Sequence, residues 1–251
     1  MLKKRLIPIV LFNDFSLVKT IQFGETRILG NPVQTVRVYN AREVDELVFL
    51  DIGAPREHKL ISFQLVSEIS EECFMPLTVG GGISSVEQMR KLLQIGADKI
   101  SINTFAFKNP QLITAAAQKF GSQAIVVSVD AKKVNNSYEV FIEGGTQPTR
   151  VDLVDWIKKI ENCGAGEILL NSIDRDGKMT GYDIDLIKIT TGTVSIPVIS
   201  AGGAGKPQDF VTAIIDGKSD AVAAASIFHY TQHTPKSIKA FMSNEGIPVR
   251  I

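Results

Sequence analysis

Three stretches of this chain recur at a spacing close to half its length. Glu46-Leu47-Val48-Phe49-Leu50 resembles Glu167-Ile168-Leu169-Leu170. Pro76-Leu77-Thr78-Val79-Gly80-Gly81-Gly82 resembles Pro197-Val198-Ile199-Ser200-Ala201-Gly202-Gly203. Both pairs are offset by 121 residues in a chain of 251. A third pair has about the same offset: Gly96-Ala97-Asp98 through Asn103-Thr104, and Ser219-Asp220 through Ala225-Ser226. Chance likeness of apolar runs does not give matching offsets at three places, so two similar halves, about 1–123 and 124–251, are expected.

Each half carries four short runs that are apolar on both faces: 5–11, 46–51, 76–79 and 99–102, then 124–130, 167–171, 197–200 and 221–225. Strands of a parallel sheet read this way when helices cover one side and a core fills the other. Amphipathic stretches lie between them. One, 86–93, opens at Ser84-Ser85 and stops at Gly96; another, 152–161, stops at Gly164. Ser caps and Gly stops mark helix ends. Strand–helix alternation along the whole chain predicts right-handed βα units. With the repeat, it predicts a single (β/α)8 TIM barrel without a domain boundary. An open doubly wound sheet does not predict a twofold repeat.

Lys plus Arg and Asp plus Glu both number 27, so nothing in the net charge favours a nucleic-acid or acidic-membrane partner. Lys3, Lys4 and Arg5 precede an apolar run that could mimic a signal peptide. That run is short, contains Pro8 and meets Asn13-Asp14, so it reads as a buried strand. No stretch approaches the roughly 20 apolar residues that cross a bilayer. Cys73 and Cys163 are far apart and read as reduced residues on or near helices, as in a cytoplasmic protein. His58, His229 and His233 lack ligand-like spacing and read as surface or loop residues. Neither a metal nor a cofactor is expected.

Gly80-Gly81-Gly82 follows the third strand and Gly202-Gly203-Ala204-Gly205 the seventh. Glycines there let a ligand approach the backbone N–H groups closely. The fourth strand ends in Ser101-Ile102-Asn103-Thr104 and the eighth in Ala224-Ala225-Ser226, which can complete each cradle with small polar donors. Barrels commonly bind phosphate after strands seven and eight. The repeat predicts a second site after strands three and four, and hence a long phosphorylated small molecule with a phosphate at each end.

These motifs, together with Leu47-Val48-Phe49-Leu50-Asp51 and Ser172-Ile173-Asp174-Arg175-Asp176-Gly177, resemble the HisF family from about Arg5 to Arg250. That family supplies the cyclase subunit of imidazole glycerol phosphate synthase, a lyase. The resemblance implies a HisH-like glutaminase partner in a heterodimer, with ammonia passing through the barrel to its C-terminal mouth. There it would meet a bisphosphorylated aminoimidazole carboxamide nucleotide. The resemblance places Gly82, Asn103 and Thr104 at one phosphate, and Asp176, Gly177, Gly202, Gly203, Ala225 and Ser226 around the other. Asp174 and Asp176 are then hydrogen-bonding residues rather than cation ligands. Lys19 matches the lysine of a mobile loop after strand one, and Asp130 one of two catalytic carboxylates. A carboxylate at a barrel strand's C-terminal end is well placed for proton transfer. At the opposite face Arg5, Glu46, Lys99 and Glu167 match a charged ring at the ammonia entrance, and Asp98 a residue facing the glutaminase.

One position departs from the pattern. The family's second catalytic aspartate falls at position 11, which is Leu11. Asp14 does not replace it, because side chains alternate along a continuing strand. Phe15-Ser16 stands where the cyclase usually has Gly-Arg. The runs Val18-Lys19-Thr20-Ile21-Gln22-Phe23 and Val38-Tyr39-Asn40-Ala41, with Leu11, resemble the WbuZ-type branch that serves surface-sugar amidation in lipopolysaccharide biosynthesis. Asn171, where the cyclase commonly has Thr, points the same way. The first reading is therefore an ammonia-handling HisF-like subunit feeding a sugar amidotransferase. The alternatives are the histidine-biosynthesis cyclase and a non-catalytic ligand-sensing scaffold that activates a glutaminase.

Overall fold

All eight expected strands are present in the computed structural model, which describes residues 2–13, 16–42, 44–54 and 59–251. The chain runs through β1 (Arg5–Asn13), β2 (Ser16–Thr20), β3 (Thr26–Gly30), α1 (Pro32–Ala41), β4 (Leu47–Asp51) and α2 (Phe63–Glu72). Next come β5 (Leu77–Gly80), α3 (Val86–Gln94), β6 (Lys99–Ile102), α4 (Thr104–Lys108) and α5 (Gln111–Phe120). The middle of the chain holds β7 (Ile125–Val134), β8 (Ser137–Ile142), β9 (Gln147–Asp152), α6 (Leu153–Asn162) and β10 (Glu167–Ser172). It ends with α7 (Ile184–Thr191), β11 (Val198–Ala201), α8 (Pro207–Ile215), β12 (Ala221–Ala224), α9 (Ser226–Tyr230) and α10 (Pro235–Asn244). Asp14, Phe15 and His58 lie outside the described residues.

Eight parallel strands close on themselves in the order β1-β4-β5-β6-β7-β10-β11-β12, with β12 pairing back to β1. This is a (β/α)8 TIM barrel. Ile7, Val48, Val126, Leu169, Ile199 and Ala223 fill its interior. A larger apolar layer, including Leu6, Phe49, Ile100 and Leu170, separates the strands from the helices. Alternate residues of each strand serve the two layers, which is why the strands read as apolar on both faces.

Local chemistry sets the helices. The Ser85 hydroxyl accepts from the Gln88 backbone N–H, and the Gln88 side chain reaches back to complete the capping box that opens α3. In α6, Leu153, Trp156, Ile157 and Ile160 are buried at helical spacing, and the Asp152 carboxylate accepts from Val154 N–H.

Two features at the C-terminal rim go beyond the sequence reading. β1 continues into the antiparallel hairpin β2–β3, and β7 into β8–β9. Lys19, expected in the segment after strand one, sits on β2 of this hairpin, and its side chain is buried. The Ser137-Tyr138-Glu139-Val140 alternation is the sequence signal for β8.

Candidate active site

Closure puts the ends of all eight strands around one hollow at the C-terminal mouth. β7 lies four strands from β1 in either direction, so Asp130 and Leu11 face each other across it. The glycine turns after β5 and β11 are likewise four strands apart. Gly82, Asn103 and Thr104 line one side of the mouth, while Gly202, Gly203, Ala225 and Ser226 line the other. Lys19, Asp176 and Gly177 line it too.

The glycines are required by space and by backbone conformation. Gly82 has φ +64°, and a Cβ there would land on the carbonyl oxygen of Lys59. Gly203 has φ +109°, and its Cβ would land on the carbonyl oxygen of Gly181. The short helices α4 and α9 start beside these turns, and neither has a side-chain cap on its first N–H groups. Asn103 precedes α4 but sends its amide to Asp130, while Ala225 precedes α9 and has nothing to send. The Ser226 hydroxyl is buried with no hydrogen-bond partner, which sets it apart from the other buried side-chain polar atoms of the described residues. A buried polar group left unpaired calls for a missing partner.

Asp130 is held from two sides. Asn103 Nδ2 donates to Oδ2 at 2.7 Å and Asn171 Nδ2 to Oδ1 at 2.8 Å. Asn171 also donates to the Ser128 hydroxyl at 3.1 Å. Burial pushes the Asp130 carboxyl up to about 6, the two amide donors oppose this, and the charge of Asp176 adds to it. A carboxyl near 6 exchanges protons readily at neutral pH. Asn171 thus holds the Asp130 carboxylate from the β10 side, a contact that its identity alone did not reveal.

The linkage of Asp130 to stability has a definite sign. Its native pKa lies above its ordinary value of 3.8. The native state therefore holds this proton longer than the unfolded chain does. Stability from this group is full below the unfolded pKa and is lost as pH rises through about 6. Asp130→Asn is expected to flatten the stability profile over that window. Urea denaturation of both proteins from pH 4 to 7 checks this, and parallel profiles would refute it.

Across the mouth from Asp130, position 11 is apolar. Leu11, half-buried, packs with Leu50 and Ala225 on the inner apolar cluster. Lys19 pairs with Asp176 at 2.9 Å, and the Thr20 hydroxyl donates to the other Asp176 oxygen at 3.0 Å. The Asp176 carboxylate is thus already engaged by the β2 strand. His229 lies on α9, half-buried, not on the surface or in a loop as its spacing suggested. Burial holds its imidazole down at about 4, with the nearby charge of Lys19 adding to the effect. His233 does lie in a loop. Asp51 and Phe23 also line the mouth and were not singled out from sequence. Asp51 accepts from the Gly53 and Ala54 N–H groups at the end of β4.

The opposite end of the barrel is closed by charge. Arg5 bonds Glu46 at 2.7 Å and Glu167 at 2.8 Å. Lys99 bonds Glu46 at 3.1 Å and Glu167 at 2.9 Å. The four side chains form an alternating ring, and the Thr78 hydroxyl donates to Glu46 at 2.9 Å. Burial works against the Arg5 charge, but Glu167 and Glu46 outweigh it and raise its pKa. Asp98 is exposed on this end, where its carboxylate accepts from Leu77 N–H at 2.8 Å. Asp220 does the same for Val198 at 3.1 Å.

Comparison with known proteins places this arrangement. A family profile described as "Histidine biosynthesis protein" matches residues 5–234. The imidazole glycerol phosphate synthase subunit HisF of Natranaerobius thermophilus is 45% identical over 251 residues, covering 100% of both chains. The chain belongs to the HisF family. The subunit of the same name from Dehalococcoides mccartyi is 46% identical over 251 residues, covering 100% of this chain and 99% of its own. Within this HisF-family chain, Asp130 and the two glycine turns stand at one end of the barrel and the charged ring at the other. No group of three or more His, Cys, Asp or Glu side chains among the described residues could hold a metal ion. None of the described helices is long and apolar enough to cross a membrane.

Proposed function

We propose that this chain is an ammonia-accepting HisF-type cyclase subunit, of the imidazole glycerol phosphate synthase kind, acting in the cytoplasm. The full-length identity to two subunits of that name carries this reading. It reverses the order reached from sequence alone, where sugar amidation stood first. A HisH-like glutaminase would dock on the face that carries the Arg5–Glu46–Lys99–Glu167 ring and Asp98. Ammonia released there would enter once the ring opens and would cross the apolar interior to the mouth. A ligand with a phosphate at each end would span the mouth, one phosphate at Gly82, Asn103 and Thr104, the other at Gly177, Gly202, Gly203, Ala225 and Ser226. Asp176 would hold Lys19 beside the second phosphate. Asp130 would move protons at the ligand's centre, steadied by Asn103 and Asn171.

The test supplies ammonium and the bisphosphorylated aminoimidazole carboxamide nucleotide to the purified chain and follows imidazole glycerol phosphate. Slow but measurable turnover, lost in Asp130→Asn, is expected. No product from the wild type or from a Leu11→Asp variant would overturn the cyclase reading.

Leu11 favours one other reading. Cyclisation needs a proton removed and another delivered on opposite sides of the ligand, and Leu11 can do neither. A WbuZ-type subunit that passes ammonia to a sugar amidotransferase needs no such pair. Binding of the cyclase ligand without turnover would support it.

A further inference from the structure

The β2–β3 hairpin carries a cation that the site described so far does not use. Lys19 and Arg27 are direct partners across this antiparallel pair. Directly opposed residues of paired strands share one face, and like charges there repel. The Lys19 charge is balanced by Asp176 at 2.9 Å. Arg27 is exposed and has no ion-pair or hydrogen-bond partner among the described residues.

Both side chains line a smaller hollow beside the mouth, together with Gly177, Met179, Ser226 and Tyr230. Lys19, Gly177, Met179 and Ser226 also line the mouth itself, so the two hollows adjoin. The unpartnered Ser226 hydroxyl belongs to both. One hollow therefore holds an unbalanced guanidinium and a buried hydroxyl without a partner, while the neighbouring ammonium is already neutralised.

We propose that Arg27 is an anion-binding residue for the group held in the Gly203–Ser226 cradle, reaching in from the hairpin to balance the charge that Lys19 cannot. This rests on the reading of the mouth as a phosphate site. A guanidinium offers five donors in a planar fork and can engage two phosphate oxygens while Ser226 takes another. With Lys19 bound to Asp176, Arg27 supplies the net positive charge on this side. Lysine at position 27 keeps the charge but loses the fork, so it restores affinity only in part.

The probe is inorganic phosphate, titrated into the full chain and followed by backbone amide shifts at Gly203 and Ser226 and, separately, at Gly82 and Thr104. Arg27→Gln is expected to weaken the Gly203–Ser226 site by about tenfold, leaving the Gly82–Thr104 site unchanged. Arg27→Lys should fall between the two. Because Arg27 is exposed, the thermal midpoint should not move, which separates lost binding from lost folding. Equal phosphate affinity in wild type and Arg27→Gln would overturn the role of Arg27 and leave the phosphate reading standing. No shift at either site in the wild type would overturn both.

Discussion

Leu11→Asp raises ammonium-dependent formation of imidazole glycerol phosphate by about 10²–10⁴-fold over the wild type, the usual worth of one positioned acid–base group. Position 11 is on β1, four strands from Asp130 on β7, so a carboxylate there would work on the opposite side of a bound ligand. In the wild-type mouth Asp130 is flanked by Asn103 and Asn171, whereas Leu11 stands beside Leu50 on the inner apolar cluster. The new carboxylate would lie against that apolar cluster and have its pKa pushed up by burial. A raised pKa suits proton delivery near neutral pH. The cost is stability, about 1–3 kcal/mol for a polar group placed where few partners reach it. Steady-state turnover with saturating ammonium, beside urea denaturation of both proteins, reads the two effects separately. Unchanged turnover with ligand affinity intact would mean that the missing carboxylate is not what limits this site.

Glu46→Ala destabilises the fold by about 3–5 kcal/mol, the range for removing one member of a buried charge network. Glu46 is 2% exposed and accepts from Arg5, Lys99 and Thr78. Without it, two cations share the single carboxylate of Glu167, and the Thr78 hydroxyl loses its acceptor. Glu46→Gln keeps an acceptor for Thr78 and should cost less. Because the ring is largely screened from solvent, added salt should recover little of the loss. Denaturant midpoints of the three proteins at low and high salt test this. A loss under 1 kcal/mol for Glu46→Ala, the worth of an exposed pair, would show that the ring is solvated.

The charged ring depends both on local sequence and on barrel closure. Arg5, Glu46, Lys99 and Glu167 could be placed at or just before strand starts from the apolar runs that follow them. Their mutual bonds could not, since each connects strands that become neighbours only when the barrel closes. Asp130 was legible as a carboxylate at a strand's end. Its shift to about 6 was not, because that depends on burial and on amides from β10 and from the end of β6. The rim hairpins were missed for a related reason. β2 and β8 pair antiparallel with the far ends of β1 and β7, and β3 and β9 pair in turn with β2 and β8, so these strands stand outside the eight-strand repeat.

By itself the sequence determined the eight strands, their alternation with helical segments and the two glycine turns, and through the repeat it determined that these turns fall in matching places. Those features depend on side-chain period, capping residues and backbone freedom, which act over a few residues. The tertiary structure decided the pairings that give the ends of the barrel their chemistry. Lys19 meets Asp176 across 157 residues of chain, and among the described residues Arg27 is left without a counter-ion. Such contacts form only when strand closure brings distant segments to one rim, and no local pattern encodes which charge will find which partner.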